Sequence, residues 1–479
     1  MRGVLYLHSF EYESAAAAFR EAQKLDPGFA MAYWGEALTY THPVWNEQNV
    51  EAARTALRRL APAPESRRAK APTARERAYL EAVEVLYGDG AKERRDTLYS
   101  RAMERLSHDY PDDHEARTFY ALSLLGLSQG TRDVSTYVRA GAIADDVFRT
   151  SPNHPGAAHY VIHAFDDPVH APLGLCAARA YSKIAPDAAH AQHMTTHIFV
   201  ALGLWDDVVS QNVIASGHDH AAWRPGHYTA WLGYGLLQQG RINDARKHLE
   251  TVHGNVRSDS RPPVRAYLMS MRAHYLVNSE RWDDPARSWT VNPAGVGPGP
   301  QVMDAFALGY AALRRGDRAE AGRHLADLIA RGNRSKEHDR YGASAKLPSI
   351  LEKELRAVIR NAEGAPDEAI SLLREATAIE DALPVEYGPP DVVKPSHELF
   401  GEVLLSLRRP AEAQREFARA LELAPRRALS LLGLARAAAA AGDSATAARA
   451  YGELRDVWHR ADAELPALAE ARRVAAAAK

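Results

Sequence analysis

GEVLLSLRRPAEAQREFARALELAP, residues 401–425, is the stretch whose reading decides the fold. Gly401 is a small residue midway along a first helix. Ala413 lies in a second helix, with Phe417 four residues on, Ala420 three further, and Pro425 closing the unit. Small residues let two helices approach, the large one fills the gap, and Pro ends the second helix. Gly3, Ala15, Phe19, Ala22 and Pro27 fill the same frame at the other end of the chain. Gly233, Gly240, Ala245 and Leu249 fit it, and so do Gly309, Gly316, Ala321 and Leu325. Helix formers, Ala and Arg above all, dominate the chain, and strand-like alternation is scarce. The frame is weak between about residues 62 and 150. Pro- and Gly-rich 291–300 and 383–396 read as loops between repeats, or flaps over a groove, and 61–72 as a connection.

This frame resembles the tetratricopeptide repeat superfamily, whose period is about 34 residues. The resemblance implies an all-α, right-handed solenoid of antiparallel helix pairs, with a concave groove lined by the first helix of each pair. Three segments follow: N-terminal repeats over 1–150, a central His-rich set over 151–290, and C-terminal repeats over 301–479 with a solvating cap ending in Arg472-Arg473. Counting back from Pro27 places the first five positions of the frame before Met1. The default expectation is therefore a soluble, cytoplasmic chain, exported if its native start lies upstream.

Composition narrows the function. The 479 residues hold 59 Lys plus Arg against 61 Asp plus Glu, so a net charge of −2 supplies no electrostatic case for nucleic acid or an anionic membrane. No apolar run reaches the length of a bilayer span. Cys176 is the only cysteine, which excludes an internal disulfide and any multi-cysteine metal site. It falls at a packing place of a second helix.

The 21 histidines are unevenly spread. Ten lie in the 74 positions from 154 to 227: His154, His159, His163, His170, His190, His193, His197, His218, His220 and His227. His159 to His193 is 34 residues, and so is His163 to His197. Two consecutive repeats therefore carry the same His-x-x-x-His pair in the same register. Residues four apart share a helix face. Two such pairs on neighbouring helices suit one transition-metal ion, Cu or Zn first, Fe or Ni otherwise. His190 extends this face, while His227, His274 and His397 are further candidates. The ordinary alternative is a duplicated repeat whose imidazoles are satisfied by hydrogen bonds in a polar groove. His154, His170, His218 and His220 fall at loops or helix ends and read as solvated or capping.

Other chemistries find no motif. Tyr160-Val161-Ile162 and Met194-Thr195-Thr196 separate the paired histidines, so the His-Glu-x-x-His general base is missing. There is no phosphate-binding Gly-rich loop, dinucleotide fingerprint or Gly-x-Ser-x-Gly elbow. Glu36, Glu398 and Glu402 take groove places on first helices and are the candidate proton acceptors, although first-helix acids are ordinarily just solvated. Trp34, Trp45, Trp223, Trp231, Trp282, Tyr33 and Tyr160 read as core between repeats.

HSFEYESAAAAFREAQKLDPGFAMAYWGEALTY, HPGAAHYVIHAFDDPVHAPL, HAQHMTTHIFVALGLWDD and KPSHELFGEVLLSLRRPAEA are similar to a bacterial subgroup of large tetratricopeptide proteins with a His-rich middle. That resemblance implies the superhelix and assigns no reaction. Two functions remain open. One is a metal-binding repeat protein acting on a small molecule or peptide in the groove; if an enzyme, copper-type redox chemistry comes ahead of zinc-assisted hydrolysis. The other is a non-catalytic scaffold that binds a peptide or protein partner there.

Overall fold

Phe19 shows how the repeat frame becomes structure. Its ring is wedged between two first helices, so closely that a Cβ on Gly3 would lie 2.9 Å from it and one on Gly35 2.2 Å. Phe417 repeats the arrangement between Gly401 and Gly433, where the corresponding distances are 2.7 and 2.1 Å. Glycine is required at these places because the knob of one helix occupies the space a side chain would need.

The computed structural model describes residues 1–128, 132–218, 223–335, 346–385 and 387–477. Among them are 25 α-helices, built as successive antiparallel pairs into an all-α solenoid. The β-structure among the described residues is one hairpin, Thr41–His42 against Glu47–Gln48. The chain divides into two compact units, Met1–Ile198 and Phe199–Lys479. The boundary falls inside the helix Ala189–Ala201.

In the first unit, helix pairs continue through the stretch where the frame is weak: Ala74–Leu86 with Lys92–Asp109, then His114–Leu125 with Val134–Thr150. The pattern is faint because polar groups do part of the packing. Arg67, in a short helix over Pro64–Arg68, is buried and holds Glu84 and the Ala61 and Pro62 carbonyls. Arg95 is buried and holds the Leu86 carbonyl. The helix Ala171–Ile184 packs through Gly174, Ala177, Ala178 and Tyr181. Cys176 lies off that face and is exposed, not packed as its repeat place suggests.

In the second unit the final helices return to the first ones. Trp205 Nε1 donates to the Arg426 carbonyl at 2.9 Å, and the Ala428 amide donates to Gln238 Oε1 at 3.0 Å. Asp462 donates its amide to the Gly240 carbonyl and accepts from the Asn243 amide. The last helix, Pro466–Ala477, buries Leu468 and Ala471 and leaves Arg472 and Arg473 in solvent. The Pro-rich 291–300 stretch is loop only to Gly297, because Pro298 and Pro300 open the helix Pro298–Arg314. Pro is tolerated in a first turn, whose amides have no helical acceptor.

Candidate metal centre

His159 and His163 lie one turn apart on the helix Pro155–Ala164, and His193 and His197 on the helix Ala189–Ala201. All four are buried, and His190 joins them half-buried. The first unit thus gathers five imidazoles. Ring centroids are 4.7 Å apart for His159–His163, 5.0 Å for His159–His190, 5.0 Å for His193–His197 and 6.2 Å for His163–His197.

The nitrogens are sorted by their hydrogen bonds. His159 Nδ1 donates to the His8 carbonyl at 2.7 Å, so its Nε2 carries the lone pair. That Nε2 faces His190 Nε2 at 3.2 Å. His163 Nε2 is buried with no hydrogen-bond partner. The ligand nitrogens of His159, His163 and His190 all lie within 4.8 Å of one another. Two ligand nitrogens on a tetrahedral zinc-sized ion stand about 3.3 Å apart, so the His159–His190 spacing already fits the edge of such a site. His197 Nδ1 donates to Asp166 at 2.5 Å, leaving its Nε2 as the lone-pair nitrogen 3.1 Å from His193 Nε2. A carbonyl behind one ligand and a carboxylate behind another is the outer support that fixes the tautomer and orientation of metal-binding imidazoles.

Burial pushes the His159 and His163 imidazoles well below the usual histidine range, and their imidazole neighbours push the same way. Both are therefore neutral at pH 7, as a ligand must be. Phe10 closes one side, with ring centroids 4.3 Å from His159, 5.7 Å from His163 and 5.5 Å from His190. It occupies a turn with φ 56°, a conformation that favours glycine. Trp45, on the hairpin loop, stands 6.1 Å from His190.

A second group, His8, Glu115 and His154, also brings ligand atoms within 4.8 Å. Its hydrogen bonds give it another role. Tyr160 donates to His8 Nδ1 at 2.9 Å, and His8 Nε2 donates to Glu115 at 2.5 Å. His154 caps its helix by accepting the Ala157 amide at Nδ1, so its proton sits on Nε2, 3.7 Å from Glu115. With both its nitrogens engaged, His8 is clamped by Tyr160 and Glu115, and its carbonyl in turn holds His159, while His154 Nε2 is buried with no hydrogen-bond partner.

Residues 1–29 match the tetratricopeptide repeat. No curated protein matches the chain. Among solved structures, the human IFIT1 dimer with PPP-AAAA is 13% identical, with 95% of this chain and 90% of that one covered and a TM-score of 0.40. Yeast Tom70 is 14% identical, with 99% and 94% covered and a TM-score of 0.31. The APC/C hetero-tetramer Cut9–Hcn1 is 13% identical, with 99% and 95% covered and a TM-score of 0.32. Nothing about this chain's chemistry rests on these distant likenesses. No helix among the described residues is long and apolar enough to cross a membrane.

The other sequence candidates lie as follows. Glu36 is buried between Arg20 Nε at 2.8 Å, Gln23 Nε2 at 2.6 Å and Arg59. Burial raises its carboxyl, but these donors outweigh it and hold it low, so both its oxygens are engaged. The remaining candidates belong to the second unit. Glu398 is buried between Arg427, Ser430 and Lys394. Glu402 accepts from Lys394 and, at 3.2 Å, from Tyr310. His397 is held by Glu416 at 2.7 Å and Asp381 at 3.2 Å, which outweigh burial and raise its pKa, so it is spent on carboxylates. His274 is buried beside Tyr234, with its pKa pushed down to about 3 by burial. His227 opens the helix His227–Gln238 against Trp231 and Tyr267. His170 pairs with Asp167 at 2.8 Å, and His218 ends the helix Trp205–His218. His220 lies outside the described residues. Trp34, Trp231, Tyr33 and Tyr160 are core, whereas Trp45 and Trp223 are 47% and 38% exposed.

The sequence reading missed His8 and Phe10 as parts of this centre. Asp166 stood near the histidines in sequence without a place. His8 and Phe10 arrive from the first repeat, about 150 residues away, and no periodicity links them to His159.

Proposed function

We propose that this tetratricopeptide-type protein binds a transition-metal ion, copper or zinc before iron or nickel, through His159, His163 and His190, with His193 and His197 completing the shell or holding a second ion. The observation that carries this reading is His163 Nε2, buried without a hydrogen-bond partner in a residue whose ligand nitrogen lies within 4.8 Å of those of His159 and His190. Leaving a buried polar atom unsatisfied costs about 1–3 kcal/mol, and an ion in the cluster recovers that loss. Neutral imidazoles are the donor set that copper, zinc, iron and nickel favour.

A carboxylate is one group able to take a proton from an ion-bound water. In the first unit Asp166 is engaged by His197, and Glu36 by two guanidinium groups and an amide. With both engaged, copper-type redox chemistry on a small molecule comes ahead of zinc-assisted hydrolysis as the catalytic reading. A non-catalytic groove that binds a peptide is the alternative if no metal is held. Elemental analysis by mass spectrometry on tag-free protein decides between them, with His159→Ala/His193→Ala measured alongside. One or two equivalents of metal, lost in the variant, support the proposal. Protein that stays metal-free after loading with copper or zinc and dialysis refutes it.

A further inference from the structure

The second unit carries a network of charges, and most of its members are paired. Lys394 is buried against Glu398 and Glu402. Arg427 holds Glu398 through two hydrogen bonds, and Arg436 holds Glu470 at 2.7 Å. Two members are left over. Among the described residues Glu280 makes no side-chain hydrogen bond or ion pair. Arg314 makes none either, and stacks over Trp282 at 5.7 Å from the ring centroid.

Both left-over groups line one cavity of about 340 Å³, together with Trp282, Leu432, Trp458 and Leu465. They do not pair with each other. The amides on the wall are already spent: Gln238 accepts from the Ala428 amide and donates to Asn278 at 3.3 Å, and Asn278 donates to the His274 carbonyl. Arg436 also lines the cavity but is held by Glu470, so the charges left open there are one acid and one guanidinium beside an apolar wall.

Glu280 also stands where other repeats place glycine. Gly203, Gly240, Gly316 and Gly442 turn their chains at φ 65°, 67°, 87° and 82°, and Glu280 does so at 54°. A side chain in this region strains the backbone. Arg408 adopts the same conformation at the surface, so the turn alone carries no argument. At Glu280 the strained turn sets an acidic residue on the wall of a cavity that the unpaired Arg314 also lines.

We propose that this cavity binds a zwitterionic amino acid with an apolar side chain. Arg314 takes the carboxylate, Glu280 takes the ammonium group, and Leu432, Trp458 and Leu465 cover the side chain. The volume lies at the small end of the range for ligand sites, which suits one amino acid. Both side chains are solvent-exposed, so each is free to turn to a ligand; a simple anion or cation engages one of them, whereas a zwitterion engages both. The site is independent of the metal centre and stands whether or not a metal is held.

Titration calorimetry of the full chain with L-leucine, N-acetyl-L-leucine and L-leucinamide tests this. L-leucine is expected to bind saturably, with each blocked analogue at least about tenfold weaker. Arg314→Gln and Glu280→Gln should each weaken L-leucine by a similar factor; the unfolding midpoint should be unchanged in Glu280→Gln, which loses no hydrogen bond or ion pair, and only slightly lower in Arg314→Gln, which gives up the stack on Trp282. Glu280→Gly, which suits the turn, should keep the fold and lose the binding. Equal binding of the blocked analogues would overturn the proposal. So would full affinity in the Gln variants, or no saturable heat with leucine, methionine or phenylalanine up to about 10 mM.

Discussion

Asp166→Asn is the sharpest perturbation of the metal centre. Asp166 is buried, with only 2% of its surface exposed, and its carboxylate accepts the His197 Nδ1 proton at 2.5 Å. The amide is nearly isosteric, so packing is preserved and only the acceptor changes. If the introduced amide presents its oxygen, His197 keeps its tautomer but loses the negative charge that makes its Nε2 basic. If the amide presents its nitrogen, the His197 proton moves to Nε2, the atom 3.1 Å from His193 Nε2, and that ligand is blocked. Losing an outer-shell partner costs about 10- to 100-fold in metal affinity, or about 1.4–2.7 kcal/mol. Competition of copper or zinc against a chelator of known affinity, read on wild type and variant, measures this. His170→Ala is the control, since its ring is spent on Asp167, and its affinity should equal wild type. An Asp166→Asn affinity within about threefold of wild type would refute the assignment of His197 to the metal shell.

Two further predictions concern stability. Because the folded-state pKa values of His159 and His163 lie below the ordinary value, the unfolded chain binds more protons as pH falls below about 6.5. Metal-free protein should keep its full stability above that pH and lose about 3 kcal/mol from these two groups by about pH 5.5; a urea midpoint that is flat across this window would contradict their neutral burial. Arg427→Met removes the guanidinium bonded to Glu398 and Tyr234, which should cost about 3 kcal/mol. That is the low end for a broken buried pair, because Lys394 still faces Glu398 at 3.1 Å. Arg427→Met/Glu398→Leu should regain most of the loss in the same denaturant titration, and a single-variant loss under about 1 kcal/mol would show the pair to be dispensable.

The repeat frame was legible because its spacing states a packing rule. Gly3 and Phe19, or Gly401 and Phe417, can be read as a gap and its filler, and the structure places them in contact. The pairing of His159 and His163 with His193 and His197 was legible for the same reason, since register within a repeat fixes a face. What the frame does not state is what the second helices do with their polar side chains. Glu36 took a groove place by count, yet Arg20 and Gln23 of the helix Tyr12–Leu25 and Arg59 of the helix Val50–Leu60 close over it. His8 and Phe10 were illegible because a contact about 150 residues long leaves no local trace. Phe10 had a faint signal, a large aromatic at a turn where the repeat ordinarily places glycine.

The 34-residue identity of the two histidine pairs has a consequence for where the chemistry could originate and where it could be moved. One pair on one helix leaves an ion with half a shell, whereas two stacked copies bring the rings of His163 and His197 within 6.2 Å. Duplicating a single structural cassette therefore creates a coordination environment that neither copy has alone, with no new residue type required. Asp166, the carboxylate behind His197, lies on the segment between the copies and travels with them. Residues 152–201 are thus a transplantable block, which an idealised repeat array could receive between two ordinary units if a backbone carbonyl were offered at the place His8 fills.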